Sequence, residues 1–268
     1  MKDFTEYLAF TKELAFDSGK ILSKYFGNLN SINQKTTSID LVTNADIESE
    51  QLIINSILKK FPNHKIIAEE ATQEEKNSDF KWVIDPLDGT TNFVHNLPIF
   101  AVSIGLQYKN KTVIGVVYNP AADKMFSASI KKGAYLNEKK IKSSSTNTLS
   151  KSLIVTGFPY LHDKKWEKSF SIFKDFYSKT QGVRRLGAAS LDLCFVGMGR
   201  FEAFYEFNLK PWDICAGSLI AEEAGATVTD WDGSKYPESG KRIIASNGYI
   251  HKDSIEILKK HSSIFFEQ

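Results

Sequence analysis

Between Phe100 and Ser129 the chain places three short apolar runs one after another. Ala101–Tyr108 and Thr112–Tyr118 flank a Lys-Asn-Lys turn, Asn119-Pro120 closes the second run, and Lys124–Ala128 supplies a third. Runs of β-branched and aromatic residues joined by a few turn residues allow only antiparallel neighbours, so this stretch reads as a meander. Around it the pattern changes. Residues 3–26 carry Phe4, Leu8, Leu14, Ile21, Leu22 and Tyr25 at helical spacing, with Asp3 and Glu6 as a capping pair and Gly27 as a stop. A second helix starts near Thr43 or Asn44, runs through Ile57 and is limited by Pro62. Short strands follow at Lys65–Ala68 and Trp82–Ile84, separated by a charged loop from Gln73 to Asp79.

After a polar, Ser- and Thr-rich stretch from Lys142 to Ser150, strands and helices alternate. Strands are predicted at Leu153–Thr156, Val183–Arg185, Ala203–Tyr205, Thr227–Thr229 and Arg242–Ala245. Helices are predicted near Trp166–Lys179, Ala188–Gly197, Trp212–Ala224 and Lys252–His261. The fold class expected is therefore an α+β half joined to an α/β half in layers. We read residues 1–268 as a single catalytic domain, with subdomains of about 1–145 and 146–268.

Composition narrows the function. The chain is 42% hydrophobic and 25% charged, which excludes general disorder. With 34 basic and 32 acidic residues its net charge is +2, so no global field favours nucleic acid. Local basic patches remain at Arg184-Arg185 and Lys139-Lys140. Cys194 and Cys215 sit in apolar contexts and read as buried free thiols, without zinc spacing. The amino terminus has no apolar h-region, and no apolar stretch is long enough for a bilayer, which gives a cytoplasmic expectation with no membrane partner.

Three acidic features carry the chemistry. In Asp85-Pro86-Leu87-Asp88-Gly89-Thr90-Thr91, two carboxylates lie three residues apart just after a buried-looking strand. An isolated Asp-Gly turn caps itself. Here, however, no Lys or Arg occurs from Trp82 to Phe100. Two carboxylates about 4 Å apart repel by roughly 4 kcal/mol at an effective dielectric near 20. A hard divalent cation is the natural counter-charge. Glu69-Glu70 ends the preceding strand, and Asp213 lies in Pro211-Trp212-Asp213-Ile214-Cys215-Ala216-Gly217 at a helix start. Alone, the first reads as a solvated run, and the second equally as a helix cap or a metal ligand.

Together these strings, in this order and spacing, resemble the inositol monophosphatase family of lithium-sensitive, magnesium-dependent polyol phosphatases. The resemblance covers nearly the whole chain. It implies a layered α-β-α-β-α sandwich, usually a homodimer, that hydrolyses myo-inositol-1-phosphate and related phosphate monoesters with metal-activated water. It also implies two or three Mg²⁺ ions: Glu69, Asp85 and the Leu87 carbonyl for one, and Asp85, Asp88 and Asp213 for another. Gly89, Thr90 and Thr91 would hold the phosphate. In Asp40-Leu41-Val42-Thr43-Asn44-Ala45-Asp46, another stretch similar to the family's, Asp46 would pair with Thr90 to orient or deprotonate the attacking water, beside Glu69. Gly187, Ala188, Ala189, Glu206 and Asp213 would contact the substrate. Asn208-Leu209-Lys210-Pro211 looks like the bacterial branch. Fructose-1,6-bisphosphate and nucleotide phosphates remain alternative substrates, and contacts with transcription factors an alternative role.

Overall fold

The computed structural model describes residues 2–29, 32–34, 41–70, 76–236, 241–261 and 263–266. The first half runs α1 (Thr5–Tyr25), β1 (Ile32–Gln34), β2 (Leu41–Thr43), α2 (Asn44–Lys60), β3 (Lys65–Ala68), β4 (Phe80–Asp88) and α3 (Thr90–Val94). The meander follows as β5 (Ala101–Tyr108), β6 (Lys111–Asn119), β7 (Lys124–Ser129), β8 (Ala134–Leu136) and β9 (Lys139–Lys140). The second half runs β10 (Leu153–Thr156), α4 (Lys164–Lys179), β11 (Gly182–Arg184), α5 (Ala189–Gly197), β12 (Ala203–Phe207) and α6 (Pro211–Glu223). It ends with β13 (Thr227–Thr229), β14 (Arg242–Ser246), α7 (His251–Lys259) and α8 (Ser263–Phe266).

Strands β3 to β9 form one sheet in sequence order, parallel only between β3 and β4. The second sheet has the order β11-β10-β12-β14-β13, parallel around β10 and antiparallel around β14. Helices α1 and α2 cover one face of the first sheet, burying Leu14, Leu22, Ile53 and Ile57 against Trp82, Ile84, Ile104 and Val116. Its other face packs on α5 and α6 through Val117, Phe126, Leu191, Cys194, Ala216 and Ile220. The same two helices bury Leu193, Val196 and Ile214 against Val155, Phe204 and Ile243 of the second sheet. Ile172 and Phe176 of α4, with Ile255 and Leu258 of α7, close its far face. The result is the expected five-layer α-β-α-β-α stack. Helices α5 and α6 are apolar all round because they are sandwiched between sheets.

Several local expectations need correction. Strand β4 does not stop before the acidic run. It continues through Pro86 to Asp88, with a register shift between Asp85 and Asp88. Pro86 has no N–H to give the ladder, so the pairing breaks at that point. The α1 start is not a capping pair of Asp3 and Glu6: Asp3 Oδ1 accepts from the amide and hydroxyl of Thr5. Short strands β1, β2, β8 and β9 were not anticipated; their two or three residues are too few for a period to show. Asp40, and residues 71–75 at the start of the charged loop, lie outside the described residues. The polar stretch 142–150 crosses from one sheet to the other, held where Asn247 Nδ2 donates to Ser144 Oγ and the Thr146 carbonyl. Both cysteines are buried and free, as expected.

Candidate active site

The carboxyl ends of β3 and β4, the starts of α3, α5 and α6, and the end of β12 meet around one cavity of about 650 Å³. Glu69, Asp85, Leu87, Asp88, Gly89, Thr90, Gly187, Ala188, Ala189, Glu206 and Asp213 all line it. Residues drawn from sequence positions more than a hundred apart thus share one volume. Thr91 follows Thr90 in α3 and is not part of the lining, and neither is Glu70, whose amide donates to Glu50 Oε2. His95, at the exposed end of α3, also lies outside it.

Each acid is placed by a local device. Asp85 Oδ1 accepts from the Leu87 amide at 3.0 Å, an Asx-type turn that steers the backbone past Pro86. Asp88 Oδ2 accepts from the Ser190 amide at 2.8 Å and hydroxyl at 2.5 Å. Asp213 Oδ2 accepts from the Lys210 amide at 2.7 Å at the start of α6. Asp213 is therefore a cap and a cavity residue at once. Gly89 has φ +89°, and a Cβ there would stand 2.8 Å from the Ile99 carbonyl. Only glycine permits this turn from β4 into α3. Behind it, Thr90 Oγ1 lies 3.2 Å from Asp46 Oδ1 and 3.0 Å from the Leu87 carbonyl. Asp46 is fully buried, and its Oδ2 accepts from the amide and hydroxyl of Thr43 at 2.8 and 2.6 Å.

The electrostatics are those of anions crowded together out of water. Burial, then the charges of Glu69, Asp88 and Asp213, push Asp85 well above the usual carboxylate range. Burial lifts Asp88 to about 6, against the lowering hydrogen bonds from Ser190. Burial, with Glu69 and Asp88 nearby, lifts Asp213 to about 8. Glu206 also rises to about 8, by burial and then Asp213, and its carboxyl packs directly on Gly157, where a Cβ would collide with it.

The donor set fits a hard divalent cation: every donor is oxygen, and no histidine or cysteine lines the cavity among the described residues. As the side chains stand, no three described acids, histidines or cysteines converge tightly enough to enclose an ion. A finished shell requires the carboxylates to turn toward one.

Four features in or beside the cavity are not anticipated from the sequence. Arg185 was grouped with Arg184 as a surface patch, but it lines the cavity, its guanidinium lying over Gly187. Phe158, Pro159, Tyr160 and Leu161 also line it, adding an apolar segment to the acids. Asp192 is buried, with Oδ1 lacking a hydrogen-bond partner. Ser190 reaches Asp88 across 102 positions. None of these carries a local sequence signal, because each depends on where α5 and β10 dock.

The comparisons with known proteins give the class to which this five-layer sandwich, with its carboxylate-lined cavity at the joint of two sheets, belongs. The model of the inositol monophosphatase family matches residues 3–263. The putative Nus factor SuhB of Neisseria meningitidis serogroup B is 42% identical over 247 residues, covering 91% of this chain and 94% of its own. The inositol-1-monophosphatase of Synechocystis is 40% identical over 257 residues, covering 96% and 90%. The crystal structure of the extragenic suppressor protein suhB from Bartonella henselae superposes with a TM-score of 0.91 at 35% identity, covering 96% and 99%. The chain belongs to the inositol monophosphatase family and is a phosphatase. No helix among the described residues is long and apolar enough to cross a membrane.

Proposed function

We propose that the cavity performs Mg²⁺-dependent hydrolysis of small polyol phosphate monoesters, with myo-inositol-1-phosphate the leading substrate. The observation that carries this reading is that Glu69, Asp85, Asp88 and Asp213 line one cavity, where burial and the neighbouring carboxylates push the three aspartates above the usual carboxylate range. Glu69, Asp85, Asp88, Asp213 and the Leu87 carbonyl would hold two or three Mg²⁺ ions. Bound there, Mg²⁺ would neutralise the phosphate oxygens and make a water more acidic at neutral pH.

The rest falls to the chain's own groups. The first-turn amides of α3 have no acceptor within the helix, so Gly89 and Thr90, which line the cavity, would hold the phosphate through N–H groups and the Thr90 hydroxyl, with Thr91 contributing through its amide alone. Thr90, backed by Asp46, stands ready to orient the attacking water and pass its proton inward. Glu69 borders the same volume and assists that alignment. Glu206, whose pKa burial pushes up, lines the cavity and can hydrogen-bond a substrate hydroxyl. Gly187, Ala188 and Ala189 present backbone and methyl groups, which leaves room for a ring of hydroxyls beside them. A panel comparing myo-inositol-1-phosphate, fructose-1,6-bisphosphate and a nucleoside monophosphate by kcat/KM under Mg²⁺ tests the assignment. The inositol ester is expected to lead, and a preference for either alternative would reassign the substrate.

The name of the Neisseria relative, a putative Nus factor, supports a second reading in which the chain also contacts transcription factors. Failure to co-purify with such factors would remove it.

A further inference from the structure

We propose that Ser190 is the positioning residue that sets the carboxylate plane of Asp88 for cation binding. This rests on the Mg²⁺ reading above. Asp88 rejoins the strand ladder opposite Ala101 only after the register shift, a pairing that places its backbone but leaves the rotation of its carboxyl group open. The next residue, Gly89, has left the extended conformation altogether. The restraint comes instead from across the layer boundary. Ser190, fully buried in the first turn of α5, gives both its amide and its hydroxyl to the same oxygen, Asp88 Oδ2, at 2.8 and 2.5 Å.

The two donors differ in meaning. An amide donating to a carboxylate is what any helix start needs, and the residue ahead of α5, Ala188, provides no side-chain cap. The hydroxyl is an addition. Ala188 and Ala189 carry only methyls, so Ser190 is the first side chain in this turn able to supply it. A second donor on one oxygen fixes the rotation of the carboxyl group. It loads the helix-facing oxygen with two donors, beside the Ala189 amide that acts on the same carboxyl group, while Asp88 still lines the cavity. This is the arrangement by which partners one step removed from a metal orient its ligands.

The test uses the full chain stripped of metal and titrated with Mn²⁺ by electron paramagnetic resonance, without substrate. Comparison is between the parent, Ser190→Ala, which deletes the donor, and Ser190→Cys, which fills the space with a weak one. Both variants are expected to bind Mn²⁺ about 10- to 100-fold more weakly, the usual consequence of losing such a partner. In turnover assays the same variants should need more Mg²⁺ for half-maximal rate, while kcat at saturating Mg²⁺ returns towards the parent's. If Ser190→Ala does not fold, Ser190→Cys carries the measurement. Parent-like Mn²⁺ affinity in a folded variant overturns the positioning role and leaves the phosphatase reading intact. A parent that binds no Mn²⁺ overturns both, so the two failures are distinguishable.

Discussion

The hydroxyl of Thr90 lies 3.2 Å from Asp46 Oδ1, although the two residues are 44 positions apart and start different helices. Asp46 is held on its other oxygen by Thr43, whose own hydroxyl accepts the Ala45 amide. A capping box at the start of α2 thus serves as the rigid mount for a group that reaches the cavity only through Thr90. Asp46→Asn keeps the shape but exchanges an acceptor oxygen for an amide. It is expected to lower kcat by about 10²- to 10⁴-fold, the range of a lost general base, with the fold retained. Steady-state kinetics beside a thermal melt will check it; an unchanged kcat would remove Asp46 from proton transfer.

Thr43→Ala separates the mount from the chemistry. Losing this cap costs about 0.5–2 kcal/mol of stability. Chemical denaturation should show a lower midpoint with the same slope, and kcat should fall less than in Asp46→Asn.

The acidic motif was legible in the chain because its carboxylates lie close together and no base lies among them. The meander was legible because its strands are long and their turns short. Asp46 and Glu206 are reached only through resemblance, since each alone is a helix or strand residue, whereas Asp213 stands out at a helix start but gains its role only beside the first motif. Ser190 and Arg185 escaped, because their contacts cross between layers that local pattern does not relate. The course of β4 was misread for a different reason. Pro86 looks like a strand terminator, yet burial on both sides carries the strand past it with a register shift.

Outside the cavity lining, on the strand that pairs with Phe207, Arg242 grips Asp230 with Nε to Oδ1 at 2.9 Å and Nη2 to Oδ2 at 2.8 Å, and donates Nη1 to the Phe265 carbonyl. The pair is mostly buried, so removing one partner strands the other. Asp230→Ala should cost about 3–5 kcal/mol. Kinetic constants measured below the melting transition should stay at the parent's values; a stability loss under 1 kcal/mol would mean that the pair is well solvated after all.

His251 gives the fold a pH dependence of known sign. Its ring nitrogens meet Thr229 Oγ1 at 3.0 Å and Ser246 Oγ at 2.8 Å, and burial holds its pKa below the ordinary 6.5. The unfolded chain therefore takes up a proton at a higher pH than the folded one. Its stabilising contribution is complete above pH 6.5 and is lost as the pH falls through the folded-state pKa. On going from pH 7.5 to 5.5, His251→Gln should lose less unfolding free energy, or gain more, than the parent does. An identical difference in both would assign the effect elsewhere.

The central claim is that the acids around Asp85 work by holding Mg²⁺. Phosphate release from myo-inositol-1-phosphate should be measured on protein freed of divalent ions by exhaustive chelation, then with Mg²⁺ restored, for the parent and for Asp213→Asn. The account predicts no turnover in chelator, full recovery in the parent with Mg²⁺, and a rate lower by about a hundredfold or more in Asp213→Asn. Undiminished hydrolysis after chelation would contradict it.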